Sequence, residues 1–399
     1  MSRMTRGGWR VIALLVLSSL VLAACGDDDD EETTTGGQGG QTTQTATIGF
    51  VGALTGDNAN LGINIRDGMR VAIDEENAKG GTQITMKEFD TAGDPAQAST
   101  IKDRFIGDQS VIGIVGPAFS GETRAVLPDI EAGALPMISA SATNKELPSV
   151  VPNGKVFHRI IADDALQANG IVSYLTSLNP RPRSVAFIHD NTEYGKGLTD
   201  DVQRLATGKG LTNALSATVD PKAQDFSATV NAVRSANPSH IFYGGYYAEA
   251  GRLRKQLVDA GVTAEFISGD GSLDPGFITA AGASAAENAK LSCPCNLALE
   301  ASTGNLKAFY DSFKSKIGKE PGLYSPEAYD AAKILIQGIK AGNTDRAKLL
   351  NYLEGFTTYE GFSKSISFEP NGNLQSKTFF VFQVRNGKIA PGQQIEATG

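Results

Sequence analysis

VIGIVGPAFSGET, residues Val111 to Thr123, decides how the rest of the chain is read. Its first six residues are continuously apolar, as a strand buried on both faces must be, because such strands lie inside parallel sheets covered by helices on both sides. Gly116 and Pro117 then break the run, and Ser120 stands where the next helix would begin. Strand, polar turn and helix in that order form the repeating unit of α/β folds.

The same alternation continues outward. Ala46 to Leu54 reads as a strand, and Ile65, Met69, Ala72 and Ile73 then recur at helical spacing. Ile84 to Asp90 is the next strand, followed by a helix with Ala98, Ile101 and Phe105 on one face. PMISAS, Pro136 to Ser141, closes this series. The pattern restarts with SVAFIHD (Ser184 to Asp190), HIFYGG (His240 to Gly245) and EFISGD (Glu265 to Asp270), each followed by a helical stretch. Two doubly wound parallel-sheet units are therefore predicted. A body of about 350 residues, too large for one usual hydrophobic core, also calls for two lobes.

Sheets of this kind bind ligands beyond the carboxyl ends of their strands. GFVGALTG, Gly49 to Gly56, has neither the GK[ST] ending nor the GxGxxG spacing of a nucleotide loop. At Ser120, a hydroxyl and the free amides beyond it would offer an anion several donors and the positive end of a helix. SASAT, Ser139 to Thr143, repeats the arrangement one strand later. Simple helix capping by Ser and Thr accounts for both equally well.

The amino end sets the compartment. Arg3, Arg6 and Arg10 precede the apolar run VIALLVLSSLVLAAC, Val11 to Cys25. That run is shorter than the roughly 20 residues of a membrane-spanning helix and ends in small residues, as a secretory signal does. Residues 1–24 are thus read as a signal peptide, and Leu22-Ala23-Ala24-Cys25 resembles a bacterial lipobox in which Cys25 is lipidated. Residues 25–46 carry six consecutive acids, Asp27 to Glu32, then Gly, Gln and Thr. They read as a disordered tether, since they hold too little apolar surface to offset the entropy of ordering. The net charge of −8 falls to about −5 on the body once the three signal arginines and six tether acids are set aside. A mildly acidic body argues against nucleic acid as a partner.

His158, His189 and His240 lie far apart, and Cys293 and Cys295 are the only cysteines besides Cys25, so neither a metal cluster nor a disulfide framework can be assembled. Cys293-Pro294-Cys295 is open to two readings, a bridge across a strained ring or two free thiols. No nucleophile stands beside a base at recognisable spacing, and no cofactor loop appears, so no enzyme and no cofactor are expected.

Nine segments from Ile48 to Ala332 carry a resemblance: IGFVGALTGDNANLG, DEENAKGG, TAGDPAQA, VGPAFSGET, PMISASAT, HDNTEYGKG, DFSATVNAVR, FYGGYYAEAG and SPEAYDAA. In this order they resemble the type I periplasmic binding proteins of branched-chain amino acid ABC importers. The resemblance implies two lobes joined by a three-stranded hinge, residues 47–162 plus 294–373 and residues 163–293 plus 374–399. It implies an extracytoplasmic monomer that captures a small amino acid, Leu, Ile or Val first, and delivers it to a membrane permease. An amide, another amino acid, a small carboxylate or a sensory role with a separate partner protein stays open. Residue by residue, Ser120 and Thr143 match positions that hold the ligand carboxylate, with Ser141, Ala118 and Phe119 beside them. Asp164, Tyr194, Tyr246 and Asp270 match positions on the opposing lobe, and Tyr324 matches an aromatic that lines the pocket. Asp270 is a candidate counter-ion for an ammonium; Asp164 is one too, or the N-cap of the helix after it. Asp270 stands where enteric relatives carry a longer glutamate, and Leu61 where an aromatic may touch the ligand.

Overall fold

The computed structural model describes residues 44–396. The signal peptide, Cys25 and the acidic stretch lie outside these residues. The first series is β1 (Thr45–Gly52), α1 (Ala59–Asn77), β2 (Gln83–Asp90), α2 (Pro95–Ile106), β3 (Val111–Val115), α3 (Ser120–Ala132), β4 (Met137–Ser139) and β5 (Phe157–Arg159). Its strands form an all-parallel sheet in the order β2-β1-β3-β4-β5. All five residues of β3 are buried, as the apolar run requires of a central strand. Successive side chains of β1 serve opposite faces: Phe50 packs with Leu61, Ile65 and Met69 of α1, and Val51 with Ile101 and Phe105 of α2. The start of α2 is fixed locally, since Asp94 Oδ1 accepts the Ala96 N–H at 2.7 Å and Pro95 occupies the first turn.

The second series is α4 (Asp164–Ser177), β6 (Ser184–His189), α5 (Glu193–Gly208), β7 (Thr212–Thr218), α6 (Ser227–Ala236), β8 (His240–Gly244), α7 (Tyr247–Asp259), β9 (Glu265–Ser268), α8 (Pro275–Ala281), α9 (Ala283–Ala286) and β10 (Lys290–Cys293). Strands β7-β6-β8-β9-β10 repeat the order of the first sheet and are again parallel. The chain then forms α10 (Gly304–Ile317), α11 (Ser325–Lys340), α12 (Arg346–Glu354) and a short hairpin of β11 (Tyr359–Glu360) and β12 (Ser365–Ile366). Helix α11 packs on α1, so this stretch returns to the first sheet.

The last strands, β13 (Phe380–Arg385), β14 (Lys388–Ile389) and β15 (Gln393–Gln394), extend the second sheet antiparallel, where purely parallel sheets were expected. The reason is the path of the chain. Strand β10 ends at Cys293, and β13 begins at Phe380 opposite that same residue. A strand entering from the end where its neighbour leaves must run the other way. Three passages connect the two sheets, between β5 and α4, after β10, and before β13. The first and third are tied together, since the Arg159 N–H donates to Gly372 O at 3.0 Å. Gly372 has φ +79°, and a Cβ there would lie 1.8 Å from Phe157 O, so only glycine fits. Beside the second passage, Cys293 and Cys295 are bridged with their Cα atoms 4.9 Å apart.

Candidate functional site

In an order such as 2-1-3-4-5 the chain winds away in opposite senses from its first and third strands, leaving a crevice beyond their carboxyl ends. The first sheet places Ala118, Phe119 and Ser120 there, between β3 and α3. The second sheet places Tyr194 in the first turn of α5, after β6, and Tyr246 between β8 and α7. Asp270 follows β9, and Tyr324 immediately precedes α11. Phe119, Ser120, Ser141, Tyr194, Tyr246, Asp270 and Tyr324, joined by Leu61 and Gly271, line one cavity. The space between these residues, together with the solvent it opens to, amounts to about 220 Å³.

Asp270 is the centre of this arrangement and 1% exposed. Its Oδ1 accepts the Tyr194 hydroxyl at 2.6 Å and Gln167 Nε2 at 2.9 Å, and its Oδ2 accepts the Tyr324 hydroxyl at 2.6 Å. Burial pushes its carboxyl up, and the donated bonds of Tyr194, Tyr324 and Gln167 oppose that shift. Burial first, and then the Asp270 charge, push Tyr194 and Tyr324 well above the ordinary phenol range, so both stay protonated donors. Asp270 is the only charged residue in the lining, and no Lys or Arg faces it there. Tyr324 has φ +66°, a left-handed conformation uncommon for a bulky residue and concentrated at functional sites.

The opposite wall is made of hydroxyls. Ser120 Oγ accepts the Asn144 N–H at 3.1 Å, which leaves its own hydrogen free for the cavity. Helix α3 is closed instead by Glu122, whose Oε2 accepts the Phe119 N–H at 2.9 Å, so the capping reading of Ser120 does not hold. Ser141 Oγ donates to Ala118 O at 2.5 Å. SASAT differs from the expectation: after Thr143 comes only a 3-10 turn, Leu147–Ser149, and Ser139 Oγ accepts the Ala142 N–H at 3.1 Å, closing a local turn. Phe119 and Tyr246 meet across the cavity with ring centroids 4.7 Å apart, and Tyr194 lies 5.2 Å from Tyr246.

Ala118, Thr143 and Asp164 are buried behind the lining rather than in it. The helix that Asp164 was a candidate to cap is capped by Asp163, which accepts the Leu166 N–H at 3.1 Å. The Asp164 carboxyl, not needed as a cap, accepts Gln167 Nε2 at 3.3 Å, and burial pushes it well up, reinforced by the Asp270 charge and opposed by the Thr143 hydroxyl. Gln167, fully buried, was not legible as a site residue, since a polar residue inside a helix carries no signal of its own. His158 is buried 4.8 Å from the Phe368 ring, and burial lowers it to about 4, so it packs as a neutral residue. Among the described residues no group of three or more His, Cys, Asp or Glu could hold a metal ion, and no helix is long and apolar enough to cross a membrane.

The profile of the periplasmic binding proteins matches residues 45–388, which includes every wall of this cavity. The chain belongs to the periplasmic binding protein family. A Leu/Ile/Val-binding protein homologue of Brucella melitensis is 31% identical over 353 residues, spanning 86% of this chain and 92% of that protein. The structure of LivJ, the branched-chain amino acid transporter substrate-binding protein of Streptococcus pneumoniae in complex with isoleucine, superposes with a TM-score of 0.81. It is 25% identical and covers 88% of this chain and 100% of its own. A solute-binding protein of R. palustris in complex with benzoate shares the fold at a TM-score of 0.76 and 17% identity, covering 89% of this chain and 99% of its own. Members of the family are solute-binding proteins of ABC transporters rather than enzymes, and this periplasmic binding protein is similar to those of the branched-chain amino acid group.

Proposed function

We propose that this periplasmic binding protein captures a small zwitterionic amino acid, with leucine, isoleucine or valine as first candidates, and delivers it to an ABC permease in the membrane. The observation that carries the reading is the uncompensated Asp270. A buried carboxylate without a cationic partner is costly, and a ligand ammonium supplies that partner. The ligand carboxylate then faces the Ser120 hydroxyl and the start of α3, where a helix N-terminus favours negative charge. A simple carboxylate such as benzoate would instead bring a second negative charge to a lining that holds no cation. The names of the Brucella and Streptococcus relatives agree with the amino acid.

The two lobes of the proposal are residues 47–162 plus 294–373 and residues 163–293 plus 374–399, and ligand docks on the first before the second closes over it. Bonds that span this division support closure as the working motion. Tyr324 reaches Asp270, Asn60 Nδ2 donates to Asp274 Oδ1 at 2.9 Å, and Arg124 meets Glu193 at 2.7 Å. Only the closed state presents both walls to the ligand, so binding favours closure.

A thermal-shift screen of the twenty amino acids against benzoate and related acids tests the ligand class. Ligand at about 100 times its dissociation constant adds roughly 2.7 kcal/mol of stability. Stabilisation by simple carboxylates and by no amino acid would overturn the reading. Cys25 is proposed as the lipidated first residue of the mature protein, motivated by Leu22-Ala23-Ala24-Cys25. Mass spectrometry of the native protein should show a diacylglyceryl adduct there, and an unmodified thiol would refute it.

A further inference from the structure

The site behind the cavity contains two acids where the ligand chemistry calls for one charge. Asp164 and Asp270 are each 1% exposed, and one side chain touches both. Gln167 Nε2 donates to Asp270 Oδ1 at 2.9 Å and lies 3.3 Å from Asp164 Oδ1, while Gln167 Oε1 accepts the Asp270 N–H at 3.0 Å. An amide nitrogen has two hydrogens, so both can be used here, one toward each acid. The orientation is determined: turning the amide over would set its carbonyl against two carboxyl oxygens and its nitrogen against a backbone N–H.

Two buried atoms next to this bridge have no hydrogen-bond partner, Asp164 Oδ2 and Thr143 Oγ1, and the hydroxyl is near enough to act on the carboxyl. An unmatched buried acceptor calls for an explanation. The Thr143 hydroxyl can donate to an ionised Asp164 or accept from a protonated one, and burial beside the charge of Asp270 favours the proton on Asp164. Arg159 does not replace that proton. Its Nη1 is held by Ala142 O at 3.0 Å and Asn144 O at 2.8 Å, and its Nε by Asn373 Oδ1 at 2.9 Å. Its Nη2 lies 3.5 Å from Asp163 and makes no hydrogen bond, so toward Asp164 the guanidinium acts through its charge alone, which opposes the proton but is outweighed by burial and by Asp270.

We propose that Gln167 is a positioning residue of the ligand site: its amide fixes Asp270 as the ionised acid in the cavity wall and leaves the proton of the acid pair on Asp164. The site then presents a single negative charge, which matches a ligand with one ammonium and disfavours dibasic amino acids. This selectivity rests on the amino acid reading above; the bridge and its proton do not. Besides Gln167, the titratable or polar groups that face the pair are Arg159 on β5, Thr143 in the loop after β4, Asp163 at the start of α4, and Tyr194, Tyr246 and Tyr324 around Asp270. Burial and the like charge of Asp270 both favour the protonated form of Asp164.

Carboxyl-¹³C NMR of aspartate-labelled, ligand-free protein tests the bridge without any ligand, with resonances assigned by Asp164→Asn and Asp270→Asn. At neutral pH the Asp164 carboxyl should show the protonated shift and the Asp270 carboxyl the ionised one. Gln167→Met, of similar length but without donors, should raise the Asp270 titration midpoint, because a hydrogen bond to the charged form is lost. An ionised Asp164 at neutral pH, or an Asp270 midpoint unmoved by Gln167→Met, would overturn the proposal. Calorimetry with L-leucine should show Gln167→Met binding at least about tenfold more weakly than the parent, and Gln167→Glu, which adds a third acid, more weakly still. If the parent does not bind L-leucine, the amino acid reading fails while the NMR result still decides the bridge.

Discussion

Asp270→Asn separates the charge of the site from its hydrogen bonding. In the parent, Oδ1 accepts from Tyr194 and Gln167, and Oδ2 accepts from Tyr324. An asparagine with its oxygen in the Oδ1 position keeps the first two bonds. Its amide nitrogen then donates to the Tyr324 hydroxyl, which can accept as well as donate. The network survives and the negative charge disappears. A bound ammonium would be left without a counter-ion, at a cost on the order of 3 to 5 kcal/mol, or roughly 150- to 4,000-fold in dissociation constant. Stability should move the other way. Because the folded state raises the Asp270 carboxyl above its unfolded value, it binds the proton more tightly than the unfolded chain does. The parent therefore loses stability as pH rises out of the ordinary carboxylate range, and the variant lacks that loss. Calorimetric titration with L-leucine, paired with thermal unfolding of the ligand-free protein at about pH 5 and about pH 8, reads both effects. Weaker binding with equal or higher melting temperature at about pH 8 is expected. Binding within twofold of the parent would show that no ammonium rests on Asp270, and a variant that melts earlier at the higher pH would show that the charge is needed by the fold.

Ser120→Ala should weaken amino acid binding by about 1.5 to 3 kcal/mol, the worth of one charge-assisted hydrogen bond. It should also lower stability by about 1 to 3 kcal/mol, because the Asn144 N–H loses its acceptor; calorimetry that finds neither change refutes both roles. Tyr324→Phe keeps the ring and removes the hydroxyl that crosses to Asp270, so the enclosed ligand should leave faster, with most of the change in koff by stopped-flow. An unchanged koff would show that this bond does not hold the lobes closed. Glu249, on α7, is pushed up to about 8 by burial and by Asp190. Folding is thus expected to weaken as pH rises from the ordinary carboxylate range toward 8, and Glu249→Gln, which imitates the protonated acid, should flatten that part of the profile. An identical slope of melting temperature against pH in parent and variant would exclude Glu249 as its source.

What the sequence disclosed follows from burial. The apolar run at Val111–Val115 could only be a central strand, and once it is placed, Ser120 falls at a strand-to-helix junction. Tyr194 and Tyr246 stand at equivalent junctions of the second sheet, but it was the resemblance that singled them out. Strand β7, TNALSAT, was not recognised, because an edge strand is wetted on both faces and here none of its residues is buried. The sequence left Asp164 between counter-ion and N-cap, and only the fold shows that its neighbour Asp163 takes the amide and relieves Asp164 of the capping role. Gln167 was invisible because its significance is a distance to Asp270, 103 residues away in the chain.

The repeat of strand order explains how two lobes come to share one site. Each lobe ends its third parallel strand in a turn whose last residue is aromatic, Phe119 before α3 and Tyr246 before α7. In each the third residue of the helix is a buried glutamate that accepts the backbone N–H of that aromatic, Glu122 at 2.9 Å and Glu249 at 2.6 Å. Burial pushes Glu122 up to about 7, which measures how poorly the position suits a charge. An apolar residue would pack there more cheaply but would leave the N–H unpaired and the ring free to turn. With both backbones held, the two rings meet at the cavity with centroids 4.7 Å apart and planes tilted by 33°. The residue that follows each aromatic is where the lobes diverge. Ser120 lines the cavity, whereas the Tyr247 hydroxyl accepts the Asn60 N–H at 3.2 Å and so ties α7 to α1. The topology thus fixes where the cavity lies, and at this one repeated position the residue after the first sheet's aromatic lines the cavity while its counterpart bonds across to α1.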